Sequence, residues 1–234
     1  WDHVVGADSY EVRVNGGEAV SVDGGLNYAK ISLTQAGYNT VEVRYLKEGV
    51  ASSEWKKLEV YAYAVTFDTN GGSAVATQFK AYGDPYDEID APELEGYDFD
   101  AWYTTPGGPA TNGARYEDET FTESGELVLY AHYVAKTYTV TLELQGGGTL
   151  ETNTAEVVFN SMYQWPIPTV ASNSGWVFKG WFSQPKGNGV RYTDNKGASI
   201  LPWTEAGEEL VAYAAWEDDV FTFEETTVGE GSSM

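Results

Sequence analysis

Acid–base and nucleophilic chemistry would have to use a small set of side chains in this sequence. The chain has two histidines, His3 and His132, no cysteine, and 36 aspartates and glutamates. The histidines lie far apart, and neither has a serine at a spacing typical of a catalytic triad or a second histidine that could share a zinc ion. Glycoside hydrolysis needs two carboxylates aligned across a cleft, which small domains seldom provide. The sequence therefore predicts a protein that is not an enzyme.

Two short segments are similar to functional motifs. Residues 194–197 (Asp-Asn-Lys-Gly) are similar to part of a calcium loop, but they lack the alternating oxygen ligands and closing glutamate of an EF-hand. We therefore predict a turn there, while weak calcium binding by surface carboxylates stays open. Residues 201–205 (Leu-Pro-Trp-Thr-Glu) are similar to a sortase sorting signal with glutamate in place of glycine. A strand-like segment follows them, so we predict no processing, and no metal site or cofactor is predicted.

Aromatic side chains offer a third kind of chemistry, because a ring face can stack on a sugar ring. The chain has eight Trp, 17 Tyr and nine Phe. Four aromatics in favourable surroundings are candidates for such binding: Tyr103, Tyr163, Trp165 and Trp203. The alternative is burial in a core, which small domains need. We predict burial for four others: Trp102, Trp181, Tyr130 and Tyr213. For Trp165, between a glutamine and a proline, both roles stay open.

Charge and composition narrow the class of partner. The formal net charge of −23 at pH 7 would repel nucleic acid and anionic lipid, so neither is predicted as a partner. Solubility in a crowded extracellular setting is the simplest use of this charge. No apolar run approaches the length of a membrane span, and no signal peptide precedes Trp1. Because the chain starts inside a strand-like motif, we expect it to be a piece of a longer protein.

One nine-residue signature occurs twice and organises the chain. Residues 95–103 are Glu-Gly-Tyr-Asp-Phe-Asp-Ala-Trp-Tyr, and residues 174–182 are Ser-Gly-Trp-Val-Phe-Lys-Gly-Trp-Phe. In a regular strand the first two aromatics of each copy share one face, and the later tryptophan falls on the other face. A bulge at Ala101 and at Gly180 would return all three aromatics to one core. The chain is therefore predicted to contain two copies of one small module.

Residues 1–61 have the pattern of an antiparallel β-sandwich. Apolar and polar residues alternate over 9–14 and 39–45. An Asn-Gly-Gly sequence at 15–17 supplies residues that tolerate the positive φ of a hairpin turn. The segment resembles the fibronectin type III-like modules of bacterial surface proteins, with the first strand missing. The resemblance is carried by residues 1–12, 36–43 and 53–55.

The rest of the chain reads as two repeats, 62–135 and 136–219. Strand-like alternation runs through 58–67 without a linker, which predicts a short and stiff junction with the N-terminal module. Each repeat begins with a strand that closes into a hairpin and ends with a strand that is apolar on both faces, typical of a central strand. Capping residues followed by polar or acidic side chains predict one short helix in each repeat, at 84–88 and at 161–164.

Three ordered motifs in these repeats resemble the internalin B-repeat, also called the Listeria–Bacteroides repeat. In the first copy they are residues 65–72, 96–103 and 129–133, and the second copy matches at 175–182 and 213–216. At the first motif, Gln145 replaces the usual asparagine. The resemblance implies a mainly β fold, with ubiquitin-like β-grasp modules, in a modular cell-surface, cell-wall or secreted protein. The family has no known catalytic residues that could be transferred.

The leading hypothesis for function is a non-catalytic segment that acts as a stiff spacer or adhesin-type region, monomeric within a longer chain. The alternative is a module that binds a host or cell-wall glycan or protein through exposed aromatics. Short junctions predict that the modules form an elongated array. Residues 220–234 are expected to be a tail or the start of a further module.

Overall fold

The computed structural model describes residues 1–51, 54–108, 113–117, 119–171 and 174–218. These residues form a nearly all-β structure, with a short 3-10 turn at Pro185–Gly187 and no α-helix among them. The mainly β fold class that the sequence predicts is therefore confirmed. The chain divides into two compact units, one of Trp1–Leu94 and Asp98–Val134, the other of Glu95–Tyr97 and the chain from Ala135 onward. The predicted tail at 220–234 lies outside the described residues.

The first unit is built on one eight-stranded sheet. Its strands are β1 (Ser9–Val14), β2 (Val20–Asp23), β3 (Gly37–Lys47), β4 (Val50–Ala51), β5 (Lys56–Asp68), β6 (Gln78–Lys80), β7 (Tyr97–Tyr103) and β8 (Leu127–Ala135). The neighbour order is β2-β1-β3-β5-β8-β7, with β4 beside β3 and β6 beside β5. The strands β1, β2, β3 and β5 pair antiparallel, whereas β8 runs parallel to β5.

Strand β5 belongs to both the N-terminal segment and the first repeat. Its residues from Lys56 to Ala62 pair with β3, and those from Tyr63 to Asp68 pair with β6 and β8. The uninterrupted alternation in the sequence is thus one continuous 13-residue strand. The predicted boundary between residues 61 and 62 falls inside this strand, where no linker residue exists.

The sheet buries opposite faces in its two halves. In the N-terminal half the buried residues Tyr10, Val12 and Val22 lie under a cover of loop residues that includes Val4 and Ile31. On β5, Val65 has the opposite parity to Ala62 and packs with the fully buried Leu129 in the core of the first repeat. The described N-terminal strands form a single sheet covered by loops, so the fibronectin type III-like detail stays a prediction.

The second unit is a five-stranded sheet. Its strands are β9 (Thr137–Glu143), β10 (Thr154–Val158), β11 (Trp176–Gln184), β12 (Asn188–Arg191) and β13 (Leu210–Asp218), in the order β10-β9-β13-β11-β12. The last strand, β13, is central and runs parallel to the first, β9, and the other pairs are antiparallel. The β5–β8 pair repeats this arrangement in the first repeat. Because the described residues contain no α-helix, the ubiquitin-like β-grasp detail stays a prediction.

The predicted helices are absent from both repeats, so that prediction was wrong. At 84–88 the Asp84 carboxylate accepts a hydrogen bond from the Ala81 N–H, which closes a turn rather than a helix. The Phe121 N–H then donates to the Asp84 carbonyl at 2.8 Å, and the Trp203 N–H donates to the Ser161 carbonyl at 3.1 Å in the second repeat. A returning loop therefore takes the backbone groups that a helix would have used.

The predicted bulge is present in the second repeat. The register between β11 and β13 shifts between Phe178 and Gly180, and Gly180 has a φ of 135°. A Cβ atom at Gly180 would lie 2.2 Å from the Thr193 carbonyl oxygen, so only glycine fits this close approach. Phe178 and Trp181 join the core, whereas Trp176 is 44% exposed. The prediction that all three aromatics would share the core is therefore wrong for Trp176.

Candidate functional site

The four candidate aromatics are mostly inside the molecule. Trp165, Trp203 and Tyr103 are 1%, 2% and 7% exposed, and Tyr163 is half-buried. The structure brings Tyr163, Trp165 and Trp203 together in the second unit, while Tyr103 lies in the first. Burial of these rings favours a core role, because a ring inside a core offers no open face to a ligand. Sugar binding by these four residues stays an untested prediction.

The cluster in the second unit also contains Tyr192, which the sequence did not single out as a candidate. The ring centroids of Tyr163 and Trp165 are 4.7 Å apart, those of Trp165 and Trp203 are 5.6 Å apart, and those of Tyr192 and Trp203 are 5.0 Å apart. The rings are tilted against one another, which is the arrangement that aromatic quadrupoles favour. Trp165, Tyr192 and Trp203 belong to the buried core of the second unit, and the half-buried Tyr163 packs against it.

One carboxylate borders this cluster. The Tyr192 hydroxyl donates to the Glu205 carboxylate at 2.5 Å, and the Trp203 indole N–H donates to the Glu205 carbonyl at 2.6 Å. Burial, with the nearby Glu205 charge, raises the pKa of Tyr163 to about 12. Burial and the bond to Glu205 also raise the pKa of Tyr192. Both phenols therefore stay protonated at neutral pH and act as hydrogen-bond donors.

A small cavity opens beside this carboxylate. Its volume is about 100 Å³, and its lining includes Tyr163, Tyr192, Leu201, Trp203 and Glu205. Sugar binding by the aromatics that line this cavity stays an untested prediction.

Tyr103 lies in a polar cluster of the first repeat. Its hydroxyl donates to the Asp100 carboxylate at 2.9 Å, and the His132 Nδ1 atom lies 3.4 Å from the same carboxylate. The bond to Asp100 raises the pKa of Tyr103. The histidine and the carboxylate are thus in contact, but the partner hydroxyl belongs to a protonated phenol rather than to a serine. Across the described part of the chain, no group of three or more His, Asp or Glu could hold a metal ion.

The segment similar to a calcium loop is a turn, as predicted. The Asp194 carboxylate accepts hydrogen bonds from the backbone N–H groups of Lys196 and Ala198, at 2.8 and 2.9 Å. The Gly197 N–H donates to the Asp194 carbonyl at 3.2 Å. These contacts occupy an oxygen of the Asp194 carboxylate with the turn's own backbone. Trp203, in the segment similar to a sorting signal, is a core residue.

The most exposed aromatic contact lies elsewhere, on the open face of the N-terminal sheet. Tyr38 is 67% exposed and Tyr61 is 47% exposed, and they face each other across β3 and β5 with ring centroids 5.0 Å apart. Tyr63 follows on the same face of β5, 5.0 Å from Tyr61. The alternation in β5 indicated that Tyr61 and Tyr63 share a face, but only the register with β3 reveals the pairing with Tyr38.

The same face carries a network of charges next to these tyrosines. Glu42 is buried and accepts a hydrogen bond from Arg13 at 2.7 Å, with Lys57 at 3.1 Å. The Arg13 guanidinium holds the pKa of the Glu42 carboxyl below its ordinary value, and Lys57 acts in the same direction. The Trp55 ring lies between Arg13 and Arg44, whose guanidinium carbons are 4.1 and 4.3 Å from its centroid. Cation–π contacts and ion pairs therefore fix this part of the face.

Comparison with known protein families decides what the two repeats are. The model of the Listeria-Bacteroides repeat domain matches residues 63–132 and again residues 138–201, together more than half of the chain. The chain belongs to the Listeria-Bacteroides repeat domain family. The resemblance seen in the three motifs is thereby confirmed. The internalin-type repeat is thus present in tandem.

Individual relatives of the chain are named as membrane proteins and as an internalin. The chain is 30% identical over 183 residues to a provisionally named Gly-rich membrane protein of Evansella cellulosilytica, covering 75% of this chain and 18% of the relative. A second protein of that organism, provisionally named a membrane protein, is 30% identical over 72% of this chain and 23% of its own length. Internalin H of Listeria monocytogenes is 28% identical over 54% of this chain and 21% of its own length.

The chain therefore spans about a fifth of the length of the curated relatives that it matches. These relatives and the family match support a repeat region of a surface protein. As for the bilayer itself, the described residues contain no helix with the length and apolarity that a membrane crossing needs.

Proposed function

We propose that this chain is a non-catalytic spacer within a microbial cell-surface or secreted protein, holding another part of that protein away from the surface. The observation that supports this proposal most is the tandem pair of family repeats with almost no chain between successive strands. Strand β8 ends at Ala135 and β9 begins at Thr137, so a single residue separates them. Strand β5 runs from the N-terminal segment into the first repeat without a break. A short connection limits independent motion of the modules it joins.

The domain division that goes with this proposal has three modules, 1–61, 62–135 and 136–219. Because the first two share β5, we expect residues 1–135 to fold as a fragment and residues 62–135 alone to be much less stable. The second repeat has its own sheet and core, so we expect residues 136–219 to fold alone. Circular dichroism and thermal melting of the three fragments test the division.

Small-angle X-ray scattering tests the spacer. A compact globule of 234 residues has a radius of gyration of about 17–18 Å, and we expect a clearly larger value. A matched variant with a flexible Gly-Ser insertion at Lys136 should broaden the distance distribution further. A wild-type value near that of the compact globule would remove the physical basis of the spacer.

A second candidate function is adhesion, through a glycan or a protein of the host or cell wall. The observation that favours it is the exposed row of tyrosines on the N-terminal sheet, because large exposed aromatics next to one another are unusual on a monomeric surface. A spacer has no need of such a row. Binding assays with the intact chain, rather than scattering, test this candidate.

A further inference from the structure

Three tyrosines form a continuous row on the open face of the first unit's sheet. We call Tyr38, Tyr61 and Tyr63 the tyrosine row. Consecutive ring centroids are 5.0 Å apart at both steps, with interplanar angles of 88° and 62°. Exposure falls along the row, from 67% at Tyr38 to 47% at Tyr61 and to a half-buried Tyr63. The row is therefore exposed to solvent at its Tyr38 end and half-buried at its Tyr63 end.

The position of the row follows from the two roles of β5, which pairs with β3 and also contributes Val65 to the core of the first repeat. Alternate residues of β5 share a face, so Tyr61 and Tyr63 lie in line with Val65 of the first repeat's core. Tyr63 contacts the fully buried Phe121, with ring centroids 5.9 Å apart. The rings are thus held by strand register on one side and by a core on the other. Such preorganisation lowers the ordering cost of binding a ligand.

We propose that the tyrosine row binds a neutral glycan chain by stacking sugar rings on its phenol rings, which deepens the adhesion candidate above. Tyr38 and Tyr61 are both exposed, and a tyrosine carries a ring and a hydroxyl, the combination that suits contact with the apolar face and the hydroxyls of a sugar. Next to that pair on the same face, Thr40 lies directly opposite Glu59. The Glu59 carboxylate and the Thr40 hydroxyl add hydrogen-bonding groups for sugar hydroxyls.

Charge and size favour a neutral glycan over the other ligands that aromatic rows bind. The net charge of −23 opposes nucleic acid and acidic polysaccharides. A stable protein partner needs about 800 Å² of surface from each side, and three tyrosines, one of them half-buried, provide only part of that. A narrow glycan chain can lie along a row of this width without such an area.

Affinity electrophoresis in native gels tests the proposal with a panel of soluble polysaccharides. The neutral probes are mannan, galactomannan, xyloglucan and mixed-linkage β-glucan, and hyaluronan is the acidic probe. We expect at least one neutral probe to retard the intact chain, and added salt to leave that retardation unchanged. The double substitution Tyr38→Ala/Tyr61→Ala should weaken it at least tenfold, whereas Tyr38→Phe/Tyr61→Phe should keep most of it.

The matched control is Tyr28→Ala, because Tyr28 is 68% exposed and precedes Ala29 and Ile31 in the loop that covers the opposite, apolar face. This control should bind like the wild type. If the double alanine variant does not fold, as judged by circular dichroism, Tyr38→Ala alone replaces it, since Tyr38 lies at the exposed end of the row.

Three results would overturn the proposal: no neutral probe retards the chain, only hyaluronan does so, or the alanine substitutions leave retardation unchanged. In the last case the row is a cross-strand pair that serves stability alone. The outcome is separate from that of the spacer, because scattering from the intact chain does not depend on the phenol rings.

Discussion

The two Listeria-Bacteroides repeats share one backbone plan and fill it with different aromatics. The loop that hydrogen-bonds the carbonyl of Asp84 or Ser161 carries Phe121 in the first repeat and Trp203 in the second. Around Phe121 the hydroxyls of Tyr86 and Tyr116 are 2.5 Å apart and hydrogen-bond each other. Around Trp203 the corresponding Tyr192 instead donates to Glu205. The two repeats therefore differ both in the ring at this position and in the polar contacts of the neighbouring tyrosines.

The last strands of the two repeats, β8 and β13, show the opposite. Both keep a hydrogen bond to a carbonyl of the turn, but a different aromatic side chain donates it. The Tyr133 hydroxyl donates to the Thr69 carbonyl at 2.8 Å, and the Trp216 indole N–H donates to the Leu144 carbonyl at 2.7 Å. A Cβ atom at Gly72 or Gly147 would lie 2.0 or 2.2 Å from the nearest atom of these aromatic side chains. Both repeats therefore keep a glycine at the turn because an aromatic lies directly over it. The comparison separates the positions that define the fold from those that are free to vary.

The largest effect should come from the two signature tryptophans. Trp181 is fully buried and donates its indole N–H to the Pro166 carbonyl at 3.0 Å, while Trp102 is 8% exposed and packs on Phe67 and Phe99. We expect Trp181→Ala and Trp102→Ala each to lower the free energy of unfolding by about 3–5 kcal/mol, with Trp181 at the upper end. Hydrogen exchange read by mass spectrometry should locate each loss in its own unit.

Trp176→Ala is the matched control, because Trp176 lies in the same strand as Trp181 but is 44% exposed. Trp176→Ala should lower the free energy of unfolding by less than about 1 kcal/mol. Equal acceleration of exchange in both units after either core substitution would show that the two units unfold together, and the comparison of independent repeats would not hold.

A smaller effect is expected where one repeat has glycine and the other alanine. Gly180→Ala places a Cβ atom against the Thr193 carbonyl in a backbone region that alanine disfavours. We expect a loss of about 1–3 kcal/mol, seen as a lower urea midpoint. Ala101→Gly, at the equivalent place in the first repeat, should cost only about 0.5–1 kcal/mol through backbone entropy. Similar losses of stability from Gly180→Ala and Ala101→Gly would mean that β11 and β7 bend in the same way.

The third effect depends on pH and concerns Tyr163 in the second repeat. Because burial raises the pKa of Tyr163 to about 12 from an ordinary value of 10, the folded state holds this proton more tightly than the unfolded state does. The resulting stability is complete below about pH 10 and is lost as the pH rises toward about 12. Its size is on the order of 1 kcal/mol once partial exposure is discounted.

Urea unfolding between about pH 9 and 12 measures this loss. In Tyr163→Phe the second unit should show a shallower fall in stability over that interval than in the wild type. An equally steep fall in the variant would place the pH dependence on other groups.

Much of the fold was predictable from the sequence, and the predictions that failed have identifiable physical causes. Strand β1, the central closing strands and the bulge at Gly180 follow from local alternation and glycine placement. The helix at 84–88 failed because capping residues such as Asp84 also close turns, and pairing with the loop at Phe121 decided between the two. The pairing of Tyr38 with Tyr61 depends on the register between two strands, which no local pattern reports.

The smallest effect concerns Gln145, the residue at which the second repeat departs from the family pattern. Gln145 and Asn70 occupy the same turn position with φ of 55° and 46°. Asparagine tolerates this left-handed conformation better than glutamine does. The Asn70 side-chain amide also donates to the Ala131 carbonyl at 2.6 Å, a bond that joins the turn to the closing strand. Asn70→Gln should therefore cost about 1 kcal/mol.

We expect the reverse change, Gln145→Asn, to stabilise the second repeat by about 0.5 kcal/mol, because the shorter amide suits the conformation and comes within reach of the equivalent Ala214 carbonyl. Thermal melting of the two single variants beside the wild type measures whether each change raises or lowers stability. Stabilisation by Gln145→Asn together with destabilisation by Asn70→Gln would establish the asparagine as a feature of the repeat turn itself. A loss of stability from Gln145→Asn would instead show that the turn of the second repeat has adapted to its longer side chain.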